Sequence, residues 1–214
     1  MMPSLSIATV SAARQIERRD WEHLAPDGHP FLNADFFALM EQHETAGPAC
    51  GWHAHHRVAT NAEGAVVGLV PTYIKSNSHG DFVRDWSWAA AYQQLGKTYY
   101  PKLLSGVPHT PASGPRFLVA PGADSDQVRT RLIEHIKASV AESGFSSWHV
   151  ALPADNEVEL LRSHGLLVSH DVQFHWRDHG YGDFDGYLAA FPSAKRRKVK
   201  AERRRVVENG LTIE

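Results

Sequence analysis

The strongest constraint in this sequence lies between residues 116 and 177, where strand-like and helix-like apolar periods alternate. Arg116–Val119 and Ser147–Leu152 read as strands. Between them Val128, Leu132, Ile136 and Val140 recur every fourth residue over Asp124–Ser143, the stripe of an amphipathic helix. A second helix over Asn156–His164 and a strand over Leu167–Arg177 continue the pattern. A β-α-β-α-β order buries helix stripes against a sheet, so an α/β domain is expected, with helices on both faces.

Upstream, Ser4–Val10 reads as a strand. A helix is expected from about Ser11, with Ile16 and Leu24 inward and Arg18, Arg19 and Glu22 outward. Pro26, Gly28 and Pro30 break it. Asn33 is placed to cap a helix running to His43, with Phe36, Phe37, Leu39 and Met40 as its apolar face. Trp52–Thr60 and Ala65–Lys75 read as strands joined by the turn residues Asn61–Gly64, a hairpin that makes the sheet mixed. Residues 76–115 read as irregular except for a short helix at Trp86–Leu95, and Phe184–Phe191 reads as the start of another helix.

A 43% hydrophobic content is enough for a core and argues against disorder. The single cysteine, Cys50, excludes an internal disulfide framework. With no basic, apolar leader and no run long enough for a membrane span, a soluble cytoplasmic protein is expected. Charge is uneven: residues 195–214 carry eight basic and three acidic side chains, net +5, leaving −7 on residues 1–194. Such asymmetry raises contact with nucleic acid or another anion. A strand-like start after Gly210, at Leu211–Glu214, suggests a chain that continues into further structure.

No P-loop, G-x-S-x-G or H-E-x-x-H pattern occurs. Gly180–Gly186 has the wrong glycine spacing for a dinucleotide loop and reads as a loop with Asp183 as N-cap. His53 and His55 share a strand face, but no clear third ligand lies nearby, so no metal is expected. The richest segment runs from Tyr73 to Arg116, an irregular stretch full of Tyr, Trp, His and acidic residues where binding chemistry tends to sit.

Several runs there carry a resemblance: Tyr73-x-Lys75-Ser76-x-Ser78-x-Gly80-Asp81, Asp85-x-x-Trp88-Ala89-x-Ala91-Tyr92, Tyr99-Tyr100-Pro101-Lys102-Leu103 and Thr110-Pro111-x-x-Gly114-Pro115-Arg116. Pro30-Phe31-Leu32, Gly51-Trp52, Ser146-Ser147-Trp148-His149, Gln173-Phe174-His175-Trp176 and the basic run from Lys195 extend it. Together these resemble the FemAB-related predicted N-acyltransferases, often labelled peptidoglycan biosynthesis/recognition proteins. The resemblance implies tandem GNAT-like domains: residues 1–180 as a GNAT-like domain with a mixed central sheet, and 181–214 as a basic helix opening a second. Two features depart from the pattern. Asn77 and Arg84 stand where the family commonly has His and Phe. The loop expected to bind a pyrophosphate reads Ala120-Pro121-Gly122-Ala123-Asp124-Ser125-Asp126, and its aspartates repel phosphate.

The implied reaction is attack of an amine on an activated acyl group, which needs a base, an oxyanion donor and an acid. His79, Asp81 and His175 are candidate bases, and Tyr99 and Tyr100 candidate acids or carbonyl partners. Lys75, Asp85, Trp88, Tyr92, Lys102 and Arg116 are candidate substrate contacts. The acyl donor is acyl-CoA or aminoacyl-tRNA, and the acceptor a small-molecule or peptide amine. Two other readings stay open: a binding module whose basic helix contacts tRNA, and a catalytically silent fragment.

Overall fold

The computed structural model describes residues 5–26 and 28–211. They form two compact units, one ending at Val168 and one beginning at Ser169.

The first unit is a mixed α/β fold built on a long, bent hairpin. Its two arms are β2–β3 (Trp52–Ala54 and His56–Thr60) and β4–β5 (Val66–Val70 and Thr72–Lys75). Each expected strand is thus broken once. Pro71 has no amide proton to give the ladder. Beside it, the Thr72 N–H reaches across to His56 Nδ1 at 3.1 Å. The outer halves, with β1 (Ser6–Val10) and β7 (Leu118–Val119), form a sheet of order β1-β3-β4-β7. The inner halves, with β6 (Lys102–Ser105) and β8 (Trp148–Val150), form a second sheet of order β2-β5-β6-β8. Every pairing is antiparallel except β6 with β8.

Alternate strand residues feed two cores. Val58, Leu69, Leu104 and Leu118 face α1 (Arg18–Leu24) and α2 (Ala34–Gln42), meeting Trp21, Leu24 and Phe37. Ala59, Val70, Leu103 and Phe117 face α4 (Ser125–Ser143) and α5 (Asp155–Ser163), meeting Val128, Leu132, Ile136 and Leu161. The sheet therefore carries helices on both faces, as the alternating pattern predicts. Helix α4 begins where Asp124 accepts the Gln127 amide at 3.1 Å and ends at Gly144, whose φ of 71° suits a residue without Cβ. Asn33 caps α2 by accepting the Phe36 amide.

Several expectations are corrected. The helix from Ser11 is instead a short 3-10 turn, Ala13–Gln15, followed by α1. Leu39 is exposed rather than part of the α2 apolar face. Within 76–115, α3 (Trp86–Gln94) is joined by the unanticipated strand β6. Residues 167–177 alternate but form no strand. A strand needs a neighbour to satisfy its amides, none pairs with this segment among the described residues, and Phe174 is 94% exposed. Apart from Leu211, the strand-like terminus lies outside the described residues.

The second unit contains α6 (Phe184–Ala189), capped by Asp183 on the Gly186 amide, and the basic helix α7 (Ser193–Glu208). Trp176, Tyr181, Tyr187 and Phe191 make successive edge and tilted ring contacts. Arg203 lies over the Phe184 ring and Lys195 over Phe191.

Candidate functional site

Register brings the site together. Lys75, at the end of β5, pairs with Lys102 at the start of β6. His149 pairs with Leu104 across the parallel β6–β8 ladder. Residues two apart on a strand share a face, so Lys75, Lys102 and His149 lie on one side of the inner sheet. The 76–101 segment closes over that side with Ser78, Asp81, Asp85, Tyr99 and Tyr100.

Lys102 is fully buried. Its Nζ donates to Ser78 Oγ and Asp81 Oδ2, each at 2.8 Å, and to Asp85 Oδ2. A buried ammonium is tolerable only when paired and hydrogen-bonded, and two carboxylates here surround one cation. Burial on its own raises the Asp85 pKa, but the bonds from Lys102 and Tyr99 outweigh it and hold the group down to about 2. The Tyr99 hydroxyl donates to Asp85 Oδ2 at 2.6 Å, and burial together with that bond pushes the phenol well above its ordinary range. Tyr100, half-buried, shares a 2.8 Å bond with Ser78 Oγ. Lys75 lies 3.6 Å over the Trp52 ring and donates to the His79 carbonyl at 3.1 Å. Burial lowers its ammonium to about 7.

His149 completes the cluster. Its Nε2 lies 3.0 Å from the Tyr99 hydroxyl and 2.9 Å from Ser147 Oγ. Burial first, and Lys102 second, lower its pKa to about 4, so the ring is neutral at neutral pH. His149, Ser147 and Ser78 escaped the list of candidates read from sequence. The available signal was Ser147 and His149 two residues apart on a predicted strand.

The other candidates lie elsewhere. His79 is exposed and packs on Trp86, and Trp88 is 58% exposed on α3. Tyr92 reaches back to Tyr99 ring to ring. Arg116 is buried, with Nε on the Ala151 carbonyl at 2.7 Å and Nη2 on the Ala112 carbonyl at 2.5 Å. It fastens loops. His175 belongs to the second unit, where Nε2 meets Gln173 Oε1. No three His, Cys, Asp or Glu side chains among the described residues are grouped to hold a metal, and no helix among them is long and apolar enough to cross a membrane.

An open cavity of about 640 Å³ lies at the β7–α4 loop, lined by residues including Gly122, Asp124, Gln127, Glu63 and Arg19 and by none of the polar cluster. At the α4 N-terminus, where a pyrophosphate would bind, Asp124 already accepts the Gln127 amide and Asp126 adds charge in the first turn.

The profile of the FemAB-like family, described as peptidoglycan biosynthesis/recognition, matches residues 12–214. Among solved structures, the aminoglycoside 6'-N-acetyltransferase AAC(6')-Iy in complex with CoA aligns at TM-score 0.49 and 14% identity, covering 83% of this chain and 97% of that one. A ribosomal-protein-alanine N-acetyltransferase from Brucella melitensis aligns at 0.48 and 15%, covering 82% and 99%. AAC(6')-Ih from Acinetobacter baumannii aligns at 0.47 and 12%, covering 83% and 100%. Among curated proteins, none matches.

Proposed function

The chain belongs to the FemAB-like family, and from that premise we propose that it is an N-acyltransferase joining an activated acyl group to an amine. The observation that carries this reading is the family match itself, which runs through all the residues of the buried polar cluster.

The cluster suits the task in a particular way. Lys102, Asp81 and Asp85 are buried and have almost no surface to offer a substrate, so they form a rigid charged framework rather than reacting groups. The groups at its rim do the chemistry. Tyr100, half-buried with its hydroxyl on Ser78, is placed to give a proton to the leaving group. The exposed rings of His79 and Trp86, which pack on each other, form an acceptor-binding face, where an aromatic surface can hold an ammonium. The acceptor is a small-molecule or peptide amine. The donor is an activated acyl group, with acyl-CoA the first to test. Its pyrophosphate does not sit on the α4 N-terminus, which Asp124 and Asp126 occupy. Within the basic helix Lys198 and Lys200 pair with Glu202 and Asp185, and a tRNA contact is not part of this proposal.

Incubation of the chain with acetyl-CoA and a mixture of amines, followed by thiol release and mass spectrometry, tests the proposal. An N-acetylated product that disappears in Tyr100→Phe is expected. Neither thiol release nor acylated product from the folded chain rules it out for this donor, and the same assay with aminoacyl-tRNA decides whether it fails altogether.

A further inference from the structure

Resting on the acyl-transfer reading above, we infer that His149 is the base that takes the proton from the acceptor amine, through its Nδ1, and that Tyr99 and Asp85 position it. The tautomer of the ring is set by its neighbours. Tyr99 has one hydroxyl proton, and Asp85, an ionised carboxylate, only accepts. That proton therefore lies in the 2.6 Å bond to Asp85. The Tyr99 oxygen then faces His149 Nε2 at 3.0 Å with lone pairs alone. Two lone pairs cannot meet at that distance, so Nε2 carries the ring hydrogen and shares it between Tyr99 and Ser147. In the neutral ring Nδ1 is left with the lone pair. The ring's hydrogen bonds run through Nε2. The side chain is 23% exposed, with its other edge against the buried cluster.

The surroundings act in both directions: burial and Lys102 hold the resting ring down to about 4, whereas Asp85 and Asp81 favour a proton there. Asp81 and Asp85 face a single Lys102 cation, one negative charge in excess. Asp85 Oδ2 lies 3.7 Å from His149 Nε2. Lys75, the remaining cation on this face, is held near half-protonation at neutral pH. The imidazolium formed when Nδ1 takes a proton strengthens the Nε2–H bond to Tyr99 and is offset by that excess charge. No other candidate histidine has such backing: His79 lies on Trp86, and His175 has only a glutamine.

The steps balance. The acceptor ammonium gives one proton to His149 Nδ1 and the freed amine attacks the acyl carbon. The C–N bond forms, the bond to the leaving group breaks, Tyr100 gives its hydroxyl proton to the departing thiolate, and the amine's second proton restores Tyr100. His149 then returns its proton to solvent.

The test compares two acceptors with acetyl-CoA as donor. Glycinamide is largely an ammonium at neutral pH and needs a base, whereas hydroxylamine is largely neutral and does not. In His149→Gln, acetylation of glycinamide is expected to fall by about 100-fold or more, with hydroxylamine changed by less than about threefold. Equal loss with both acceptors, or no loss with glycinamide, overturns the inference. Nitrogen-15 spectra of the wild-type imidazole give a check independent of activity. A ring proton on Nε2 that becomes shared between both nitrogens in Tyr99→Phe supports the assignment, and a wild-type proton on Nδ1 overturns it while leaving acyl transfer standing. A wild-type chain inert towards both acceptors removes the acyl-transfer reading and this inference with it.

Discussion

Lys75 and Lys102 stand directly opposite each other on neighbouring antiparallel strands, both fully buried. Like charges so placed repel, and the loop that follows β5 resolves the conflict by two different means. It delivers Asp81 and Asp85 to Lys102, whereas Lys75 receives an aromatic face and a carbonyl. The strand pair and the loop are thus stable only together.

Lys102→Met leaves Asp81 and Asp85 buried without their cation. Breaking one side of such a pair costs about 3–5 kcal/mol. A loss of that size in denaturant unfolding is expected, partly recovered when Asp81→Asn and Asp85→Asn are added.

For Lys75 the sign is opposite to that of a salt-bridged lysine. Its folded value, about 7, lies below the ordinary 10.5. Between those limits the unfolded chain holds a proton that the folded chain does not, so stability rises with pH. Relative to Lys75→Met, the native protein is therefore expected to gain stability from about neutral pH upward, levelling off near the ordinary lysine value. Unfolding free energies of the two proteins across this range provide the check, and a flat difference contradicts it.

Glu41 joins three parts of the first unit. It accepts from the Ala13 amide at 2.7 Å, His56 Nε2 at 2.8 Å and the Tyr73 hydroxyl at 2.9 Å. Burial raises its pKa, but these partners, His56 foremost, bring it below 4.5 on balance. The stabilisation is present above that ordinary value and is lost as pH falls through the lowered one. Glu41→Gln should cost about 1–3 kcal/mol at neutral pH, and its thermal-melt difference from the native protein should shrink in acid.

Gly68 lets α4 lie close on β4. A Cβ there would sit 2.6 Å from Val128 Cγ1 and 3.1 Å from Leu132 Cδ1. Val128 is branched and cannot swing aside, so Gly68→Ala should destabilise by about 1–3 kcal/mol. Adding Val128→Ala should make the pair less damaging than the two single costs summed.

What the sequence made legible follows from which signals were local. The α4 stripe, the Asn33 and Asp124–Ser143 boundaries and the Asn61–Gly64 turn are written in consecutive residues, and all appear. Strand β6 is not legible because Lys102, Leu103, Leu104 and Ser105 are all buried. Buried strands do not alternate, and a lysine is the last residue expected in one. Residues 167–177 mislead in the other direction: their alternation is real, but strand formation depends on a partner that no local pattern reports. The site divides in the same way. Asp81, Asp85, Tyr99 and Lys102 cluster within one run, whereas His149 reaches Tyr99 only through the β6–β8 ladder.

The bent hairpin has a mechanical consequence. The same two chain segments run through both sheets and crease together at His55 and Pro71. Sliding one sheet past the other would stretch covalent backbone, and changing the angle between them would part the two cores that both sheets share. The two sheets are accordingly joined as the covers of a book are by its spine, and the packing on either side holds them at one angle. His56 sits at the spine, with its two ring nitrogens tied to Thr72 and Glu41 across it.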